Sequence, residues 1–130
     1  MKILLDTHTV LWAATNSKRL SRTAMGLIED ESNELLVSAV CPWEMGIKLR
    51  LGKLHEAESL LLDWERVMSD LDAVALPVTH QHAISASKLV WDHRDPFDRL
   101  LGAQSVIEDA MILSADYAFD AIRSVVTRLW

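Results

Sequence analysis

An α/β fold around a mainly parallel sheet is predicted by the order of patterns along the 130-residue chain. Short apolar runs alternate with longer stretches in which apolar residues recur at helical spacing. No repeat or low-complexity segment interrupts them. Three prolines and four glycines leave little room for a linker, so residues 1–130 are expected to form one domain. In open parallel sheets, sites form beyond the carboxyl ends of the strands. Polar residues that directly follow apolar runs therefore carry the functional argument.

Residues 3–5 read as a first buried strand, with Asp6 or Thr7 capping a segment that carries Val10, Leu11 and Trp12. Ser21 caps a helix with an apolar face of Ala24, Leu27 and Ile28. After the polar turn DESNE, residues 35–37 form a second strand. Pro42 suits the first turn of a helix running through Glu44, Ile47, Lys48 and Leu51, with Gly52 as its stop. Leu60, Leu61, Trp64, Val67 and Met68 predict one helix over residues 56–68. A third strand, 74–76, is closed by Pro77. Thr79 caps a helix through Ala83, Ile84, Ala86 and Leu89, and Pro96 starts another through Leu100, Leu101, Ala103 and Ile107. Residues 111–113 give a fourth strand, 117–121 a helical turn, and 124–126 a fifth strand.

The formal net charge of -6 argues against a protein that coats nucleic acid through charge alone. It does not argue against a metal-dependent nuclease, because that figure counts metal-binding carboxylates as bare. Cys41 is the only cysteine, which excludes an intrachain disulfide and a thiolate zinc cluster. The opening MKILLDTHT is too short for a signal-peptide core, and no run reaches membrane-spanning length. A cytoplasmic protein without membrane attachment is expected. Motifs of the GxGxxG, Walker, HExxH and GxSxG types are absent.

Four acids stand where apolar runs give way to turns and helices: Asp6, Glu44, Asp98 and Asp116. Clustered carboxylates repel and raise one another's pKa, a cost that a hard cation such as Mg2+ removes. Each also has a purely structural reading. Asp6 and Asp116 are natural helix caps. Asp95 at N-cap, Pro96 at N1 and Asp98 at N3 make a complete helix start. Glu44 can pair with Lys48, four residues on along one helical face. Asp95 is assigned to capping and Asp98 to the site. Thr7 and Ser114 are placed to support Asp6 and Asp116, or simply to cap. Arg99 suits either phosphate or the core. His8 and His93 are candidate acids or bases, yet neither has a readable carboxylate partner. The basic group Lys48, Arg50 and Lys53 can touch an RNA backbone or be solvated. The five tryptophans fit core and interface packing better than base stacking.

Together, LLDTHTVLW (4–12), SAVCPWEMGIKLRLGKL (38–54), HRDPFDRLLGAQS (93–105) and LSAD (113–116) resemble PIN domains, and among them the VapC-like toxin ribonucleases of toxin–antitoxin systems. The resemblance implies a three-layer α/β/α sandwich with an acidic site at one rim. It places the family's acids on Asp6, Glu44, Asp98 and Asp116, as catalytic and metal-binding residues, with Asp95 peripheral. It further implies Mg2+ or Mn2+ as cofactor, RNA as substrate, a cognate antitoxin protein as partner, and a homodimer. The implied reaction is attack by metal-activated water on phosphorus, leaving 5′-phosphate and 3′-hydroxyl ends. The stretch DYAFDAIRSVVTRLW fits the pattern least.

Other readings of an acidic α/β domain fit less well. A phosphorelay receiver needs a phosphoacceptor after its third strand, where Pro77 and Val78 stand. A haloacid-dehalogenase-type phosphatase needs an Asp two residues after Asp6, where His8 stands. An inactive PIN-like module that binds RNA or protein is the remaining alternative.

Overall fold

The computed structural model describes residues 1–130. Five parallel strands form one sheet in the order β3-β2-β1-β4-β5: β1 Lys2–Leu5, β2 Glu34–Ser38, β3 Val74–Leu76, β4 Met111–Leu113 and β5 Arg128–Leu129. β1 is central, pairing with β2 (Leu5 opposite Val37) and with β4 (Leu5 opposite Leu113). The strand order reverses on either side of β1, which makes its carboxyl end the topological switch point where a crevice forms.

Strand side chains alternate between faces, and β1 is buried on both. Ile3 and Leu5 enter one core with Leu35 and Val37, while Leu4 enters the other with Leu36 and Ile112. The first core is covered by α1 Thr7–Ala14, α2 Arg22–Glu29, α4 Ala57–Leu62 and α5 Trp64–Asp70. The second is covered by α7 Pro96–Ile107 and a 3-10 segment, Tyr117–Ile122, with α6 His80–Lys88 packed on α7. Helix α3, Val40–Arg50, joins the two layers: Val40 lies in the second core, Cys41 and Met45 in the first. The result is the expected α/β/α sandwich.

The local signals for helix ends hold. Asp6, Ser21, Thr79 and Asp95 each cap the helix that follows, through a side chain accepting a backbone N–H. At the end of α3, Gly52 takes φ +74, its N–H donates to Leu49 O, and Lys53 N–H donates to Lys48 O. This paired closure requires a left-handed residue, and glycine adopts it without steric cost.

Two elements differ from expectation. The helix predicted over 56–68 breaks at Asp63 (φ -138, ψ 60) into α4 and α5. Leu60 and Val67 still reach the same core, so the apolar period runs straight through the break, while Leu62 is left 83% exposed. The fifth strand lies at Arg128–Leu129 instead of 124–126. Val125 and Val126 donate their N–H groups to Ile122 O in a turn, and Val126 fills the second core. Sheet pairing resumes only where Ile112 N–H donates to Thr127 O.

Candidate active site

Asp6 leaves β1 with extended backbone and starts α1. One carboxylate oxygen accepts the Thr9 N–H at 2.7 Å; the other accepts the Ser114 hydroxyl. Ser114 follows β4, so this bond ties together the ends of two adjacent strands. Burial pushes the Asp6 carboxyl above the usual range, opposed by its bonds to Ser114 and Thr9.

Glu44 is turned inward from α3 and is only 3% exposed. The Thr7 hydroxyl donates to its Oε1 at 2.6 Å, and the Lys48 ammonium sits on Oε2. The helical pair that the sequence allowed is therefore formed. Lys48 supplies the counter-charge for a carboxylate that is otherwise buried.

Asp98 occupies the first turn of α7, and Asp95, one turn earlier, spends its Oδ1 on the Phe97 and Asp98 N–H groups. That separates a capping acid from one that is free to face the rim. The Asp98 carboxyl is pushed up to about 6, chiefly by burial, with Asp95, Glu44 and Asp116 adding like charge. A hydrogen bond from His93 Nε2 at 2.7 Å opposes the rise. Asp116, exposed beyond β4, accepts the Ala118 N–H and so caps the 3-10 segment.

Of the four predicted acids, Asp98 and Asp116 come together with His93. Their donor atoms and that of His93 all lie within 4.8 Å of one another. Asp6 and Glu44 are not in this trio. Glu44 is near enough to raise the Asp98 pKa. Asp6 is joined to Asp116 through Ser114, whose oxygen also accepts the Asp116 N–H at 3.0 Å. Crowded carboxylate oxygens and one imidazole, with Asp98 raised by burial and like charge, form a donor set suited to a hard divalent cation; the imidazole is better tolerated by Mn2+ than by Mg2+.

Several supporting roles differ from the simplest sequence reading. Thr7 bonds to Glu44, and Ser114 bonds to Asp6 instead of supporting the Asp116 carboxylate. His93 finds a carboxylate partner in Asp98, five residues on and across a helix start, where no helical period would reveal it. Arg99 does not reach toward the rim. Its guanidinium donates to the carbonyls of Ala86, Leu89, Trp91 and His93, pinning the loop that carries His93. His8 packs on Trp12, with ring centroids 5.6 Å apart.

The sequence profile described as PIN domain matches residues 3–125. A search among curated proteins gives no match. Among solved structures, a chain of VapBC2 from Rickettsia felis, bound to a DNA fragment from their promoter, aligns with TM-score 0.67 at 14% identity, covering 98% of this chain and 97% of that one. A chain of DNA-bound VapBC from Salmonella typhimurium aligns with TM-score 0.66 at 16% identity, covering 99% and 97%. A chain of FitAcB from Neisseria gonorrhoeae also aligns with TM-score 0.66 at 16% identity, covering 98% and 96%. At such identities the structural likeness speaks for the fold alone. The profile match spans nearly every residue described above, from β1 to the turn before β5, and by it this chain belongs to the PIN domain family.

Proposed function

We propose that the protein is a Mg2+- or Mn2+-dependent endoribonuclease acting as the toxin of a toxin–antitoxin pair. The observation that carries this reading is the trio of Asp98, Asp116 and His93 at the carboxyl end of a parallel sheet, beside the buried carboxylates of Asp6 and Glu44. We assign Asp6, Glu44, Asp98 and Asp116 to cation binding and catalysis. A bound divalent cation would supply Lewis-acid activation of water and neutralise phosphate charge. The residues of the chain do the rest. Asp98 and Asp116 face the rim and present oxygens. The Ser114 and Thr9 hydrogen bonds hold the Asp6 carboxylate in one orientation. Thr7 and Lys48 do the same for Glu44. Arg99 fixes the His93 loop against α7.

The substrate is RNA cut by water, with the bond from phosphorus to the 3′ oxygen broken. The site of action is the cytoplasm, and no helix here is long and apolar enough to cross a membrane. A protein antitoxin and a homodimer complete the proposal. The antitoxin is supported by the VapBC assemblies among the structural neighbours.

The experiment is to map RNA ends after brief expression of the wild type and of Asp6→Asn. New 5′-phosphate and 3′-hydroxyl ends, absent in the variant and abolished by chelator in vitro, are expected. Ends carrying 2′,3′-cyclic phosphate would mean that the RNA 2′-hydroxyl attacked, and the water mechanism would be wrong. Co-expression with an adjacent small reading frame tests the partner: growth inhibition that persists with no complex formed overturns the toxin–antitoxin assignment.

A further inference from the structure

The most exposed tryptophan directly precedes Glu44 on α3. Trp43 is 52% exposed, whereas Trp12, Trp64, Trp91 and Trp130 are all partly buried. Its neighbours on α3 account for the core contacts of that turn: Val40 enters one layer, Cys41 and Met45 the other. The indole instead meets the Phe97 ring, centroids 4.9 Å apart and planes at 78°. That edge contact fixes the orientation of a large aromatic surface at the rim. Trp43 directly precedes Glu44 and Phe97 directly precedes Asp98, so the aromatic contact joins α3 and α7, the two elements that carry these acids.

Resting on the ribonuclease reading, we propose that the Trp43 indole is a stacking platform for one unpaired base of the RNA, next to the phosphate that is cut. Charge favours this occupant. At a net charge of -6, phosphate contacts alone hold RNA weakly. Base stacking on an aromatic face is indifferent to net charge and tolerant of sequence. Exposed Arg50 ends α3, roughly 10 Å along its axis from Trp43 at the helical rise per residue, and exposed Lys53 follows the Gly52 turn, so both can meet the backbone of the same strand.

The test uses a fluorescein-labelled single-stranded oligoribonucleotide, and the same strand with a single abasic position moved along it. Binding is measured by anisotropy in chelator, and cutting with Mg2+ or Mn2+. For wild type, one abasic position should weaken binding roughly tenfold, within the range of one lost stacking contact. Trp43→Ala should lose about that much on the intact strand and nothing further at that position. Its KM should rise far more than its kcat falls, and Trp43→Phe should recover most of the loss. Equal sensitivity of wild type and Trp43→Ala to every abasic position overturns the platform. So does a variant that turns a dimer into a monomer on sedimentation while binding intact RNA as wild type does, which would make Trp43 a contact between copies. A wild type that neither binds nor cuts RNA overturns the ribonuclease reading itself, and the platform with it.

Discussion

If Asp98 holds a cation as proposed, a proton and that cation compete for the same oxygens. Its carboxyl ionises at about 6 in the folded protein, against 3.8 for an ordinary aspartate, because burial and neighbouring carboxylates disfavour the charge. Between those values the folded state binds more protons than the unfolded one, so this group's contribution to stability falls as pH rises from about 4 to about 6. A shift of that size corresponds to about 3 kcal/mol without cation. Asp98→Asn should therefore match wild type near pH 4 in chelator and exceed its stability by about 1–3 kcal/mol above pH 6, by denaturant melts at each pH. Indistinguishable curves would mean that Asp98 is not under that pressure. Mg2+ or Mn2+ should raise the wild-type Tm near pH 7.5, raise it less near pH 5, and leave Asp98→Asn almost unchanged. Asp95 offers the contrast, since its oxygen is committed to the Phe97 and Asp98 N–H groups. Asp95→Ala should cost about 0.5–2 kcal/mol of stability and keep the cation response, which separates a cap from a ligand.

Helix ends were the most legible elements, because a cap and its acceptor lie within a few residues of each other. Ser21, Thr79 and Asp95 could be assigned from sequence for that reason, as could the stop at Gly52, while the first cap was narrowed to Asp6 or Thr7. The Gly52 stop gives a clean measurement. A Cβ built there meets nothing within 4 Å, so Gly52→Ala should pay only for its left-handed backbone, about 1 kcal/mol in a urea melt. A loss well above that would reveal a contact that the folded chain does not display. The positions of the four acids were legible too, since each falls at a strand end or an early helical turn. Their wiring was not. Thr7 meets Glu44 across 37 residues and Ser114 meets Asp6 across 108, distances over which no sequence period operates. The break between α4 and α5 was hidden for the opposite reason, because Leu60 and Val67 keep one helical period through it. The fifth strand was misplaced because Val125 and Val126 are β-branched residues held in a turn by Ile122.

Across the whole molecule, α3 is where both cores and the rim meet, so its integrity should report on the entire fold. Cys41 lies in its first turn, fully buried, with a thiol pushed up to about 12 by burial and by the nearby Asp6 and Glu44 charges. The thiolate is the reactive form. Iodoacetamide should label Cys41 in the native protein only through opening of the structure, and labelling in increasing urea should follow the global unfolding curve. Rapid labelling without denaturant would show that α3 opens alone. The central place of β1 has one more consequence, and it concerns translation. Asp6 is made 108 residues before Ser114, which holds one of its oxygens. Until β4 has been made, β1 has an open edge and Asp6 lacks that hydroxyl partner. An emerging nascent chain thus carries an incomplete pocket while the ribosome and its message are within reach, and the last acid of the set, Asp116, arrives only after both cores have most of their helices.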